Sequence, residues 1–211
     1  GKTEETEYSK LLVQLQKNKN IFSTKGDYFE NLKNSLYPLD IFSAYILTLS
    51  LQRYGQNERS LFSFLQASDD LGLNDSNRKN TQFSISSVYD YLLSGFYQLL
   101  TTRATSDFSQ WNSIKESIQR AEVIDNINSL VAEDLLKTIG LLQIFTSKAA
   151  KIDEEFIVNY LSNKHKVKEI RDTIDLLEKH KIIKYFKFKI IEFVFNFYKC
   201  FFSLLIRERV T

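Results

Sequence analysis

The chain predicts a mostly α-helical protein, and three observations carry that prediction. Its 211 residues include one proline and six glycines, too few turn formers for a sandwich or barrel. Apolar residues recur at helical spacing through most of the long segments. Branched and aromatic runs of strand type are confined to the stretch from Ile182 onward.

Residues 4–20 are polar around Leu11, Leu12 and Leu15, and read as a short helix or ordered lead-in. Asn18 to Asp27 reads as a loop, and Tyr28 to Leu36 as another short helix. Pro38 suits a helix start, where its missing N–H is not needed. Leu39, Phe42, Ile46 and Leu49 then follow at helical spacing, with Ile41, Tyr45 and Leu51 widening the stripe. A helix this apolar should be buried. It should stop at Tyr54-Gly55, where glycine can take the left-handed cap conformation. Asn57 can cap the next helix, which carries Leu61, Phe62, Phe64 and Leu65.

Ser68 to Gln82 is polar and reads as a loop. Ser87-Val88-Tyr89-Asp90 has the form of a capping box, opening a helix with Val88, Leu92, Phe96 and Leu99. A loop over Thr101 to Ser109 precedes a helix with Trp111, Ile114, Ile118 and Ala121 on one face.

The character changes at Val131. Leu135, Ile139, Leu142 and Phe145 mark one helix. Asp153 can cap a short second one with Phe156, Ile157 and Tyr160. Lys166 to His180 predicts a third, with Val167, Ile170, Ile174 and Leu177 inward. Ile182 to Phe188 and Ile190 to Tyr198 read as two strands. Three helices followed by a hairpin is the order of a winged helix. The expected organisation is a lead-in over 1–35, a helical unit over 36–130, a winged-helix-like unit over 131–200 and a tail over 201–211.

Several classes of chemistry are disfavoured. A net charge of +2 is too small to point to nucleic acid by itself. The single cysteine, Cys200, excludes an internal disulfide and a multi-cysteine metal site, and fits a reducing, cytoplasmic setting. The charged start predicts no secretory signal. Ile182 to Ile206 is very apolar, but Lys184, Lys187, Lys189, Glu192 and Lys199 interrupt it, so no membrane span is expected. Gly1-Lys2-Thr3 copies the end of a phosphate-binding loop, yet Glu4-Glu5-Thr6-Glu7 follows where an apolar helix should open. His165 and His180 are the only histidines and read as solvated helix-end residues, His180 suiting the negative end of a helix dipole. No metal site or catalytic set is predicted. The chain has no methionine, which reads as a piece of a longer polypeptide.

One run stands apart. Gln52-Arg53-Tyr54-Gly55-Gln56-Asn57-Glu58-Arg59-Ser60-Leu61-Phe62-Ser63-Phe64-Leu65 sets a polar, arginine-bearing elbow between two apolar helical stretches. Arginine at a helix start combines a planar, permanent charge with a dipole that favours anions. Such a group can stabilise the charge that develops in phosphoryl transfer. Equally, Glu58 and Arg59 could be a capping and ion pair that holds the elbow.

With Tyr37-Pro38-Leu39 before it, this run resembles the helical lid of AAA+ P-loop ATPases. The nearest likeness is to large bacterial ATPases related to the origin-recognition and STAND groups, in particular uncharacterised or phage-defence-associated ones. Val88-Tyr89-Asp90-Tyr91-Leu92, Trp111-Asn112-Ser113-Ile114 and Leu135-Leu136-Lys137-Thr138-Ile139-Gly140-Leu141-Leu142 share the likeness, which covers most of 36–185. The tail after Tyr185 departs from it. The resemblance implies a helical lid followed by a winged helix, with Arg59 sensing bound nucleotide and Arg53 a second candidate. It implies ATP and magnesium on a core of the same polypeptide, with no turnover in this chain alone.

The last helix and hairpin also offer nucleic-acid candidates in Lys164, Lys168, Lys184 and Lys187. The predicted outward face, His165, Lys168, Glu169, Asp172, Asp175 and Lys179, is mixed in sign, and its carboxylates would oppose phosphate. A winged-helix nucleic-acid binder with a helical dimerisation region and a helical protein-interaction scaffold therefore stand as alternatives.

Overall fold

The computed structural model describes residues 38–55, 64–65, 82–102, 106–146, 152–186 and 189–193. Among them, six helices precede one pair of short strands. The predicted lead-in helices, the helix start at Asn57, the second strand beyond Phe193 and the tail over 201–211 lie outside the described residues.

Helix α1 spans Ile41–Tyr54 and is buried along most of its length, as its composition predicts. Its start is set by Asp40 rather than Pro38. The Asp40 carboxylate accepts the Phe42 and Ser43 amides, both at 2.9 Å, and satisfies donors that a helix start otherwise leaves unpaired. Pro38 lies further out, where its carbonyl accepts the Phe83 amide at 2.7 Å beside a parallel Leu39–Phe83 bridge. Gly55 is extended (φ −96, ψ −174), not left-handed, and still donates its N–H to the Leu51 carbonyl.

Helix α2, Ile85–Leu100, begins ahead of the predicted capping box. The Ser84 hydroxyl bonds the Ser86 and Ser87 hydroxyls and caps no amide. The Ile85 amide is instead satisfied by the Tyr160 hydroxyl at 3.0 Å, a long-range partner that makes an earlier start possible. Phe96 departs from helical geometry (φ −125, ψ 21), and beyond this kink Leu99 is exposed rather than on the buried stripe. Helix α3, Phe108–Glu122, buries Trp111, Ile114 and Ala121 as expected.

Helix α4, Ser129–Phe145, is the axis of the fold. It is apolar on almost every side and packs against α1, α2 and α3. It also packs against helix α5 (Glu154–Leu161), helix α6 (Val167–Lys179) and strand β2 (Lys189–Phe193). The Asp153 carboxylate caps α5 by accepting the Phe156 amide at 2.9 Å, as the sequence predicts. Helix α6 buries Ile170, Ile174 and Leu177 against this core, each contributing about 1.5–3 kcal/mol of burial. Val167, expected inward, is 47% exposed because it stands at the first position of α6, ahead of that apolar contact.

Strand β1, Ile183–Phe186, follows α6 through Lys181 in left-handed conformation (φ 55). It pairs antiparallel with β2, with Ile183 opposite Phe193 and Lys184 opposite Glu192. The register shifts between Tyr185 and Phe186. No helix among the described residues is long and apolar enough to cross a membrane.

Candidate functional site

Arg59 lies outside the described residues. Arg53 does not, and the structure places it in a compact polar centre at the C-terminal end of α1. Its Nη1 meets Asp107 Oδ2 at 2.9 Å, and its guanidinium lies 4.9 Å from the centre of the Phe145 ring. The Tyr54 hydroxyl donates to the same Asp107 oxygen at 2.6 Å, and the Trp111 Nε1–H donates to the Tyr54 hydroxyl at 3.0 Å. Burial pushes the Tyr54 hydroxyl up to about 12, with the adjacent Asp107 adding to the rise. Burial also pushes Asp107 upward, but the Tyr54 and Arg53 bonds outweigh it and hold the carboxyl below its ordinary value. Arg53 thus ties the end of α1 to the start of α3 and the end of α4, six positions before Arg59 in sequence.

A second polar centre runs along α2 and α4. Lys137, almost fully buried, places Nζ 2.5 Å from Asp90 and 2.6 Å from Glu133. Burial lowers a lysine's basicity, and here the two carboxylates more than reverse it. The same Nζ lies 5.5 Å from the centre of the Tyr89 ring, which stacks on Trp111 at 5.4 Å. Asp134, next to Glu133 on α4, lies 2.8 Å from His165 Nε2 and 3.6 Å from Lys164 Nζ. Lys164 also donates to the Ser86 hydroxyl at 3.2 Å. Burial raises Asp134, but Lys164, Ser86 and His165 overcome it and bring the carboxyl below its ordinary value. His165 is therefore a paired residue and not a solvated helix end, because the α5–α6 turn folds it back onto α4.

The third centre is sealed in the core. Asp40 Oδ2 accepts the Tyr160 hydroxyl at 2.6 Å and the Ser43 hydroxyl at 2.7 Å, while its other oxygen caps α1. Desolvation dominates these four hydrogen bonds and raises the carboxyl above its ordinary value. Burial likewise keeps the Tyr160 hydroxyl protonated, reinforced by Asp40.

The nucleic-acid candidates are scattered. Lys164 is engaged by Asp134 and Ser86. Lys168 is exposed on the first turn of α6, where Arg171 is paired with Glu154. Lys184 is exposed on β1, opposite Glu192 of β2, and Lys187 lies outside the described residues. Asp172, Asp175 and Glu178 share the exposed surface of α6, so the sign is mixed as the sequence predicts. Among the described residues no group of His, Cys, Asp and Glu could hold a metal ion.

Sequence reasoning missed Asp40, Asp107, Asp134 and Tyr160. Asp40 and Asp107 each stand just before an apolar-periodic run, a capping signal that could have drawn attention to them. Tyr160 meets Asp40 across 120 positions of sequence, which no local pattern encodes.

No protein-family model matches the chain, and no curated protein or solved structure is significantly similar to it.

Proposed function

We propose that this chain is the non-catalytic, regulatory part of a bacterial P-loop ATPase, a helical lid followed by a winged helix. In this reading Arg59 senses the phosphates of ATP, which is held with magnesium on the core domain of the same polypeptide. The elbow resemblance motivates the sensor, and the arrangement of the described residues supports a role in transmission.

The observation that carries the reading is a contiguous line of polar and aromatic contacts. It runs from Arg53 through Asp107, Tyr54, Trp111, Tyr89 and Lys137 to Asp90 and Glu133. Asp134, the next residue on α4, then reaches His165 at the start of the last helix. One end of the line adjoins the elbow, and the other adjoins the element that would be the recognition helix of a winged helix. Continuity of contacts is a route for coupling only if its elements have two arrangements, so coupling has to be measured.

The mixed charge of α6, with Lys164 and Arg171 already paired, favours a protein surface over DNA as the target of that output. The strands that follow α6 supply the order expected of a wing. The test is ATP hydrolysis by the full-length polypeptide, unmodified against Arg59→Ala. A loss of at least tenfold, with helical content unchanged by circular dichroism, is expected from removing a charge on the transferring phosphoryl group. Unchanged hydrolysis and nucleotide affinity would reduce Arg59 to an elbow residue and end the lid reading.

A further inference from the structure

The start of α6 is poorly supported by its own sequence. Its N-cap residue is Lys166, which makes no side-chain capping bond. Lys164, Lys166 and Lys168 crowd the end of the helix where cations are unfavourable. The only first-turn acid, Glu169, stands 3.7 Å from the Lys166 ammonium. Val167 exposes nearly half its surface and adds little burial.

Negative charge comes from another helix. Asp134 of α4 faces both Lys164 and His165, and Ser86 at the start of α2 accepts from Lys164. The turn they hold is narrow, since the Lys164 and His165 amides both donate to the Leu161 carbonyl at 3.0 Å. We infer that Asp134 is a charge latch, supplied from α4, that keeps the α5–α6 turn and the first turn of α6 ordered. The Asp134, His165 and Lys164 side chains are 16–37% exposed, so the latch is solvent-accessible and can open without disturbing the core. The anchor just before it, Tyr160 on Asp40, is fully buried and stays fixed when the latch opens.

The latch itself is independent of the proposed function. Its use as the output of a lid, so that the order of the exposed helix reports the position of α4, rests on that reading. Amide hydrogen exchange on the chain as it stands separates the two, because no nucleotide is involved.

The informative amides are those of Lys164 and His165, bonded to Leu161, and Ile170, bonded to the Lys166 carbonyl at 3.1 Å. Asp134→Asn should speed their exchange by up to about fivefold, the loss of a partly exposed ion pair, while the α4 and α5 amides keep their protection. Glu133→Gln, one position away and paired with Lys137 instead, should leave them unchanged. In the unmodified chain, about 1 M salt, with a Debye length of roughly 3 Å, should speed the same amides by a smaller factor. The salt experiment stands even if Asp134→Asn fails to fold. Equal acceleration across α4 and α5, an equal effect of Glu133→Gln, or no response to salt would each overturn the latch.

Discussion

Two polar contacts hold the same short stretch of chain, Tyr160 and His165, and they are built in opposite ways. Tyr160 reaches a carboxylate with no solvent near it, and the Asp40 oxygens are filled by two hydroxyls and two amides. His165 and Lys164 reach Asp134 on a partly exposed side of α4, where water can reach the ion pair. A buried donor or acceptor left unpaired costs its full desolvation penalty, whereas an exposed ion pair contributes about 0–1 kcal/mol. Burial, not the kind of group, therefore decides that one contact is a fixed anchor and the other an adjustable tie.

The largest effect should come from breaking the anchor. Asp40→Ala removes a helix cap and strands the Tyr160 and Ser43 hydroxyls, and should cost about 3 kcal/mol in urea unfolding. Tyr160→Phe leaves the carboxylate one donor short and the Ile85 amide unpaired, and should cost about 2 kcal/mol. If the two losses simply add in the double variant, the sites do not form one network.

Arg53→Ala should cost about 1 kcal/mol, because Asp107 keeps its bond from Tyr54 and the arginine is partly solvated. Asp134→Asn should be smallest in global stability, under about 1 kcal/mol, with its effect confined to local exchange.

Acid sharpens the same contrast. Asp107 and Asp134 are held below their ordinary values, so their contribution is complete above those values and is lost as pH falls through the lowered ones. Asp40 has the opposite sign. Its raised value means that its contribution is greatest at low pH and falls as pH rises from the ordinary value through the raised one. In a titration taken below the ordinary aspartate range, the exchange of the Lys164 and His165 amides should rise before that of the Phe42 and Ser43 amides. The reverse order would contradict the assignment of anchor and tie.

Much of the fold was legible in the sequence. The α4, α5 and α6 helices lie where periodicity and Asp153 put them, since strong apolar stripes and a matching cap agree locally. The starts of α1 and α2 were misplaced for different reasons. That of α1 is set by a local cap, Asp40, two residues beyond Pro38, whereas that of α2 depends on a partner distant in sequence, Tyr160, which satisfies the Ile85 amide. The candidate residues divide similarly. Arg53 was legible as a charge at a helix end, but its commitment to Asp107 was not, because the two are 54 positions apart.

The sequence by itself determined a mostly helical chain, the end of α1 near Tyr54 and the mixed charge of α6. These follow from composition, spacing and local capping chemistry, which act between neighbours. The tertiary structure alone decided that α4 is shared by the helices before and after it. It also decided that Asp134 serves a helix without a cap of its own, and that Asp40 is sealed while Asp134 is open. Those outcomes depend on which surfaces exclude water, and that is fixed only when the helices pack.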